Sequence, residues 1–352
     1  MNKRLSIIVV SLVLGLTCFV ALHSVPSSAA PAPNPSTVML NGAGASFPYP
    51  IYSKWFSDYN KAHPDVEINY QSIGSGGGIH QLLSGTVDFG ASDAPMTDEQ
   101  LGQAKIKILH FPTVLGAVVP SYNIPGVSQE LDFTPEALVG IYLGRITKWN
   151  DPEIAKSNKG VKLPAQDIVV MHRSEASGTS YVWTDYLSKV SAEWQSKVGR
   201  NTSVNWPVGL GGKGNEGVTG LVKQTPGAIG YVELLYAIQN QISYGRVRNS
   251  AGVFVKADLA SVTAAAAAYS KNMPADFRIS ITNAPGKAAY PICSFTYLLI
   301  PTKIADANKT QIIKNFLTWM LAEGQKAAEP LSYARLPKEV VAKELKQISL
   351  IQ

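Results

Sequence analysis

The chain has 352 residues, of which 45% are hydrophobic and 16% are charged, and its formal net charge is +6. This composition fits a globular protein of about two domains. The chain contains no long run of lysine or arginine. A nucleic-acid-binding surface is therefore not indicated, and no nucleic-acid partner is expected.

The N-terminus has the pattern of a secretory signal peptide over residues 1–29. A short basic head precedes an apolar run at 5–22, and small residues follow at 27–30. We therefore expect export, with cleavage after Ala29. A retained membrane anchor is the alternative, because the apolar run is close to the length that spans a bilayer.

Cleavage would change both the charge and the cysteine content. Loss of Lys3 and Arg4, with no acidic residue, lowers the formal net charge by two, from +6 to +4. Loss of Cys18 leaves Cys293 as a single cysteine, which cannot form an intrachain disulfide. We expect the exported protein to be held together by its core, after a flexible lead-in at residues 30–37.

A short strand, a loop of small residues and an amphipathic helix recur along the chain. In the first unit the strand is predicted at 38–40 and the loop at 41–46. The next apolar residues fall on one helical face, which carries Tyr52, Trp55, Phe56 and Tyr59. This unit predicts a strand whose end leads directly into a helix.

The next three units begin with strands predicted at 66–70, 87–93 and 168–171. In two of them a Ser- and Gly-rich loop leads to a helical face, with Ile79, Leu82 and Leu83 in one and Val182, Tyr186 and Val190 in the other. Later helices are predicted at the alanine run 264–268 and at 312–320. The alternation of strands and helices predicts an α/β fold with mainly parallel sheets, whose ligands bind beyond the carboxyl ends of the strands.

Three of the predicted helix starts combine Ser or Thr with small residues or a free backbone N–H. They are Ser46-Phe47, Ser75-Gly76 and Ser177-Gly178-Thr179. A helix start offers unpaired N–H groups and a partial positive charge, so it binds phosphate, sulfate or carboxylate. A serine at any one of these starts also fits a simple helix cap. Three such starts in one layer favour an anion site.

Two charged residues accompany the third helix start. Arg173 has a guanidinium that can donate to two oxygens of a tetrahedral anion. Glu175 is placed either to hold Arg173 or to remain in solvent.

Asp93 ends the third unit and would select among anions. An ionised carboxylate only accepts hydrogen bonds, so an anion beside it must carry a proton. Monohydrogen phosphate carries one and sulfate does not, and Asp93 would therefore favour phosphate. The alternative is that Asp93 closes the turn at Ala94-Pro95.

Eight segments together resemble a known family. They are GAGASFP (42–48), IGSGGG (73–78), TVDFGASDAPM (86–96), FPTVLGAVV (111–119), YLGRITKW (142–149), RSEASGTS (173–180), PVGLGGKGNEG (207–217) and PGAIGYVE (226–233). In this order they resemble the periplasmic phosphate-binding proteins of high-affinity phosphate ABC transporters, over nearly the whole exported chain.

The resemblance implies an α/β, two-lobed type II periplasmic-binding-protein fold, in which a two-strand hinge joins two mainly parallel sheets flanked by helices. Lobe I would comprise 38–113 and 291–352, and lobe II 114–290. A periplasmic monomer without a cofactor or metal would capture inorganic phosphate between the lobes. It would deliver the phosphate to ABC transporter permease subunits in the inner membrane, and would not be an enzyme.

The resemblance also implies a set of phosphate contacts. From lobe I these are Ser46, Phe47 through its N–H, Ser75 and Asp93; from lobe II they are Arg173, Ser177, Gly178 and Thr179. The sequence departs from the family pattern at Glu175, where an aspartate is common, and at Ala176, where a glycine is frequent. Glu175 is therefore expected either to brace Arg173 or to be a less direct ligand.

Two other functions fit parts of the sequence. A secreted phosphatase would hold a phosphate ester with the same donors, but it needs a nucleophile or metals, and the five histidines have no ligand spacing. Residues 209–214 match G-x-G-x-x-G, with Glu233 further on, as in dinucleotide-dependent oxidoreductases. Pro207 lies just before this motif, so a loop at a helix start is the better interpretation.

Overall fold

A computed structural model describes residues 37–270 and 272–352. The predicted signal peptide and residues 30–36 of the predicted lead-in lie outside the described residues. The strands are β1 (Val38–Gly44), β2 (Val66–Ser72), β3 (Phe89–Ser92), β4 (Ile108–Asn123), β5 (Asp132–Phe133), β6 (Val169–Arg173), β7 (Leu210–Gly212), β8 (Ala228–Glu233), β9 (Ser243–Tyr244), β10 (Arg246–Arg248), β11 (Phe254–Val255) and β12 (Cys293–Pro301).

The α-helices are α1 (Tyr49–Ala62), α2 (Ser75–Ser84), α3 (Asp98–Gln103), α4 (Pro135–Tyr142), α5 (Pro152–Ala155), α6 (Gly178–Val190), α7 (Ala192–Lys197), α8 (Gly214–Gln224), α9 (Leu234–Gln239), α10 (Leu259–Ser270), α11 (Ala307–Ala322) and α12 (Lys338–Gln347). Short 3₁₀ turns lie at Gly324–Ala327, Glu329–Leu331 and Ile348–Leu350.

The main sheet has the strand order β2-β1-β3-β12-β4-β8-β6-β7, and β9 pairs with β4. At one end β1 is parallel to β2 and β3, and at the other end β6 is parallel to β7 and β8. The central pairings of β12 with β3 and β4, and of β4 with β8, are antiparallel. The predicted α/β class, with parallel strands in each half, is confirmed.

Strand β4 connects the two halves of this sheet. Its residues 108–117 pair with β12, and its residues 118–123 pair with β8. One strand of 16 residues, almost all buried, therefore runs from one parallel group to the other. The two halves are joined through the sheet itself rather than through an exposed linker.

The predicted apolar helix faces are buried, except that Leu83 and Val190 are only partly buried. In α1 the face packs against α11, where the ring centroids of Phe56 and Phe316 lie 5.6 Å apart. Trp55 is fully buried, and its indole N–H donates to the Gly324 carbonyl at 2.7 Å. The helices predicted around 264–268 and 312–320 are α10 and α11.

The end of β1 differs from the prediction. Residues 41–44 were predicted as loop because they are small and glycine-rich, but they extend the strand to Gly44. The neighbouring strand β3 crowds this part of β1. A Cβ on Gly42 would lie 2.2 Å from the Phe89 ring, and one on Gly44 would lie 2.0 Å from the Ala91 carbonyl oxygen. The small residues therefore allow close strand packing. The third strand likewise begins at Phe89 rather than at residue 87.

Two further features complete the fold. Cys293 is a free, buried cysteine in β12. In the part of the chain that the structure describes, no helix has the length and apolar character needed to cross a membrane.

Candidate anion-binding site

Four helix starts converge where the strands of the two parallel groups end. The loop after β1 carries Ser46 and Phe47 into α1, and α2 begins at Ser75. From the other half, α6 begins at Gly178, just after β6, and α8 begins at Gly214, just after β7. This is the sheet edge at which the sequence predicted ligand binding.

Asp93 lies directly after β3 and is held within the first half of the sheet, the half that contains β1, β2 and β3. Its backbone N–H donates to Ser75 Oγ at 3.3 Å, and Thr296 Oγ1 donates to its Oδ1 at 2.8 Å. All three side chains are buried. The contact with Ser75 brings together two residues that were predicted to share a site.

Arg173 ends β6 and is held within the second half of the sheet, the half that contains β6, β7 and β8. Its Nε donates to Glu175 Oε1 at 3.0 Å, its Nη2 donates to the same oxygen, and its Nη1 donates to Thr179 Oγ1 at 3.0 Å. The Gly214 N–H, at the start of α8, also donates to Glu175 Oε1 at 3.1 Å. Glu175 therefore forms an ion pair with Arg173 instead of remaining in solvent.

The two halves touch at Gly178. A Cβ at this position would lie 2.4 Å from Ser75 Oγ and 2.5 Å from Asp93 Oδ2, so only glycine fits without a shift of these groups. Beside it, the Gly76 N–H donates to the Ala176 carbonyl at 2.9 Å. A Cβ on Gly76 would lie 2.4 Å from the Ala176 methyl, which shows that glycine at 76 makes room for alanine at 176.

The capping alternative holds for one of the three predicted serines. Ser177 is the N-cap of α6, and its Oγ accepts the Ser180 N–H at 3.2 Å. Ser75 is the first residue of α2, whose N-cap is Gly74. Ser46 precedes the N-cap of α1, Pro48. The hydroxyls of Ser46 and Ser75 are therefore not cap groups.

Several N–H groups at these helix starts donate to no acceptor among residues 37–270 and 272–352. They belong to Phe47, Ser75, Gly178 and Thr179. A buried N–H normally has a partner. Four such donors, together with the Arg173 guanidinium, are suited to a small anion with several oxygens.

The loop that carries Ser46 and Phe47 is fixed by two tyrosines. Tyr236 donates its hydroxyl to the Ser46 carbonyl at 2.6 Å, and Tyr333 donates to the Phe47 carbonyl at 2.7 Å. With both carbonyls engaged in this way, the N–H of Phe47 keeps a fixed direction.

Asn215 is a site residue that the sequence analysis did not single out. It is fully buried in the first turn of α8, and its Nδ2 donates to Ser46 Oγ at 3.0 Å and to Thr179 Oγ1 at 3.2 Å. The available signal was the segment 207–217, which repeats the pattern of a strand, small residues and a helix start. The resemblance to a dinucleotide motif drew attention to its glycines instead.

Burial raises the pKa of Asp93 to about 7, although the Thr296 hydrogen bond and the charge of Arg173 both lower it. Near neutral pH the carboxyl group is therefore divided between its two protonation states. When ionised, it is an acceptor among groups that otherwise donate.

Comparisons with known proteins agree with this architecture. A family model described as "PBP superfamily domain" matches residues 28–323. The phosphate-binding protein PstS of Xylella fastidiosa (strain Temecula1) is 46% identical over 306 residues, which cover 87% of this chain and 83% of that protein. The chain belongs to the PstS family of phosphate-binding proteins. Another member of the family, PstS of Pasteurella multocida, is 45% identical, covering 86% of this chain and 88% of its own length.

Solved structures of phosphate-binding proteins share the fold. PfluDING, a high-affinity periplasmic phosphate-binding protein bound with phosphate, aligns with a TM-score of 0.69 and 23% identity, over 87% of this chain and 93% of its own. A putative phosphate ABC transporter substrate-binding protein from Clostridium perfringens aligns with a TM-score of 0.63 and 19% identity, over 85% and 100%. The predicted two-lobed type II periplasmic-binding-protein fold is confirmed.

The raised pKa of Asp93 predicts a pH-dependent stability in phosphate-free buffer. A carboxyl group whose pKa rises from 3.8 to about 7 on folding costs nothing below pH 4 and progressively destabilises the native state up to pH 7. Asparagine at this position does not titrate. The unfolding free energy of wild type minus that of Asp93→Asn should therefore fall by about 4 kcal/mol between pH 4 and pH 8.

Chemical denaturation at both pH values measures this difference. Asp167→Asn, which removes an exposed carboxylate from a surface ion pair with Lys148, is the control for loss of one negative charge. A wild-type minus Asp93→Asn difference that does not change with pH would contradict the raised pKa.

Proposed function

We propose that this protein captures one inorganic phosphate between its two lobes and delivers it to an ABC permease for import. The observation that carries the proposal is the position of Asp93, a buried acceptor among donors from three helix starts, those of α1, α2 and α6. Phosphate at neutral pH needs both kinds of partner, because it has several acceptor oxygens and one proton to donate. The printed names of the PstS relatives support the same ligand.

In this proposal the ligand contacts are those predicted from the sequence. The N–H groups of Phe47, Gly178 and Thr179 and the hydroxyls of Ser46 and Ser75 donate to phosphate oxygens. Ser177, Thr179 and Arg173 donate from the same half as Gly178, and Asp93 accepts the phosphate proton. Glu175 acts through Arg173, whose guanidinium it holds.

We further propose that lobe I comprises 38–113 and 291–352 and that lobe II comprises 114–290. The sheet supports these limits, since β4 and β12 are the strands at its centre and the proposed crossovers lie within or beside them. The site is completed within one chain, so the protein is expected to act as a monomer. The signal-peptide pattern supports export to the periplasm, where an inner-membrane permease would receive the phosphate.

The two other functions suggested by parts of the sequence are less well supported. The glycine-rich segment 209–214 does lead into a helix, but the start of that helix is engaged, because Gly214 contacts Glu175 and Asn215 contacts Ser46. This leaves no free N-terminus for a pyrophosphate. A phosphatase would need a nucleophile or a metal, whereas the groups that we assign to the ligand only donate or accept hydrogen bonds.

Calorimetric titration with phosphate and with sulfate, at pH 8, tests the proposed function. Wild type should bind phosphate and reject sulfate, because sulfate has no proton for Asp93 and is repelled by it. Asp93→Asn should reduce the difference between the affinities for phosphate and sulfate, since an amide can donate to a sulfate oxygen. Equal affinity of wild type for the two anions would contradict the proposal.

Gly178→Ala should weaken phosphate binding by roughly tenfold or more, because its Cβ would overlap Ser75 Oγ and Asp93 Oδ2 and keep the two halves apart. Gly220→Ala is the matched control, since a Cβ at this helical glycine would have no neighbour within 4 Å. Titration of both variants measures the effect. Unchanged affinity in Gly178→Ala would place the ligand elsewhere.

Glu175→Ala should weaken phosphate binding by roughly tenfold, because the Nε and Nη2 groups of Arg173 lose their acceptor. Glu175→Gln keeps a carbonyl oxygen for the same donors and is the control for losing the charge alone. The dissociation constants of both variants decide the role of Glu175. Wild-type affinity in Glu175→Ala would make it a bystander.

The two lobes should close when phosphate binds. Small-angle scattering should therefore give a smaller radius of gyration with phosphate than in phosphate-free buffer, and sulfate should leave it unchanged. Superimposable profiles with and without phosphate would argue against lobe closure.

A further inference from the structure

Asn215 uses every hydrogen-bonding atom of its side chain within the site. Its Nδ2 donates to Ser46 Oγ and to Thr179 Oγ1, and its Oδ1 accepts the backbone N–H of Glu233 at 2.9 Å. Because a backbone N–H only donates, the contact with Glu233 fixes which end of the amide carries the oxygen. The side chain is fully buried, so water does not compete for these bonds.

This arrangement determines the direction of the Ser46 hydroxyl. A hydroxyl oxygen has two lone pairs and one proton. Ser46 Oγ accepts from the backbone N–H of Asn215 at 3.1 Å and from Nδ2 of Asn215 at 3.0 Å. Both lone pairs are engaged, and the hydroxyl proton must point to another acceptor.

The Thr179 hydroxyl is fixed in the same way from two different residues. Its Oγ1 accepts from Nη1 of Arg173 at 3.0 Å and from Nδ2 of Asn215 at 3.2 Å. The proton of Thr179 is therefore also directed away from these donors. Through one amide group, Asn215 controls a hydroxyl from each of the two halves.

We propose that Asn215 is a positioning residue that makes the Ser46 and Thr179 hydroxyls obligatory donors to phosphate. This inference rests on the proposed function. Hydroxyls fixed in this way cannot accept a proton from the ligand, so they reserve that role for Asp93. Asn215 therefore sharpens the ability of the site to distinguish phosphate from an anion without a proton, although it does not contact the ligand.

A double-mutant cycle tests the proposal. Asn215→Ala should weaken phosphate binding by roughly tenfold or more in the wild-type background, because two donors lose their fixed direction. In the Ser46→Ala/Thr179→Val background, which lacks both hydroxyls, the same change should weaken binding less than about threefold. A residue with a merely structural role would cost the same factor in both backgrounds.

Asn215→Leu gives a second variant, which keeps the approximate size of the side chain and adds no charge while removing both amide donors. It replaces Asn215→Ala in the cycle if the alanine variant does not fold, as judged by its melting temperature. If wild type binds phosphate but the change at Asn215 weakens binding by the same factor in both backgrounds, the positioning role of Asn215 is overturned and the proposed function stands. Wild type that does not bind phosphate would overturn the proposed function, and this inference with it.

Discussion

The structure depends on one constraint: a buried carboxylate, Asp93, lies among donors that belong to two different halves of a sheet. A carboxylate in such a place is costly unless it is hydrogen-bonded. Within the first half, Thr296 satisfies one oxygen of Asp93 and Ser75 accepts its N–H. The other carboxylate oxygen faces Gly178 from the second half. The site is thus complete only when the halves meet, and the absence of a side chain at 178 permits that contact.

Helix α8 holds residues from both halves of the site, although its start is not one of the three helix starts that were predicted to bind an anion. Its first N–H holds Glu175, which in turn holds Arg173. Its second residue, Asn215, holds Ser46 and Thr179. The start of α8 therefore holds both the Arg173 guanidinium and the hydroxyls of Ser46 and Thr179. A change there is expected to affect the position of all three groups.

Much of the fold follows from local patterns in the sequence. The aromatic face of α1, for example, is set by residues close together in the chain, and the structure confirms that this face is buried. The end of β1 was predicted as a loop because the local pattern does not reveal crowding by Phe89 and Ala91. Those contacts come from the neighbouring strand β3 and exist only after the sheet has formed.

Part of the candidate site could likewise be predicted from local patterns in the sequence. Small residues at helix starts and the lone Arg173 indicated an anion, and the structure brings Ser75, Asp93 and Gly178 together. Asn215 was not predicted as a site residue because its partners, Ser46 and Thr179, are distant in sequence. An asparagine at a helix start also has no distinctive local pattern. The contacts of Glu175 with Arg173 and Gly214 likewise required the three-dimensional arrangement, since its spacing from Arg173 also fits a solvated side chain.

A crystal structure of the exported chain grown with phosphate at pH 8 would test the central claim most directly. The account predicts one phosphate between the halves, with an oxygen within hydrogen-bond distance of Asp93 Oδ2 and others facing Arg173, Ser46 and the Gly178 N–H. A phosphate bound elsewhere, or one that contacts a single half and leaves Asp93 without a ligand oxygen, would contradict it.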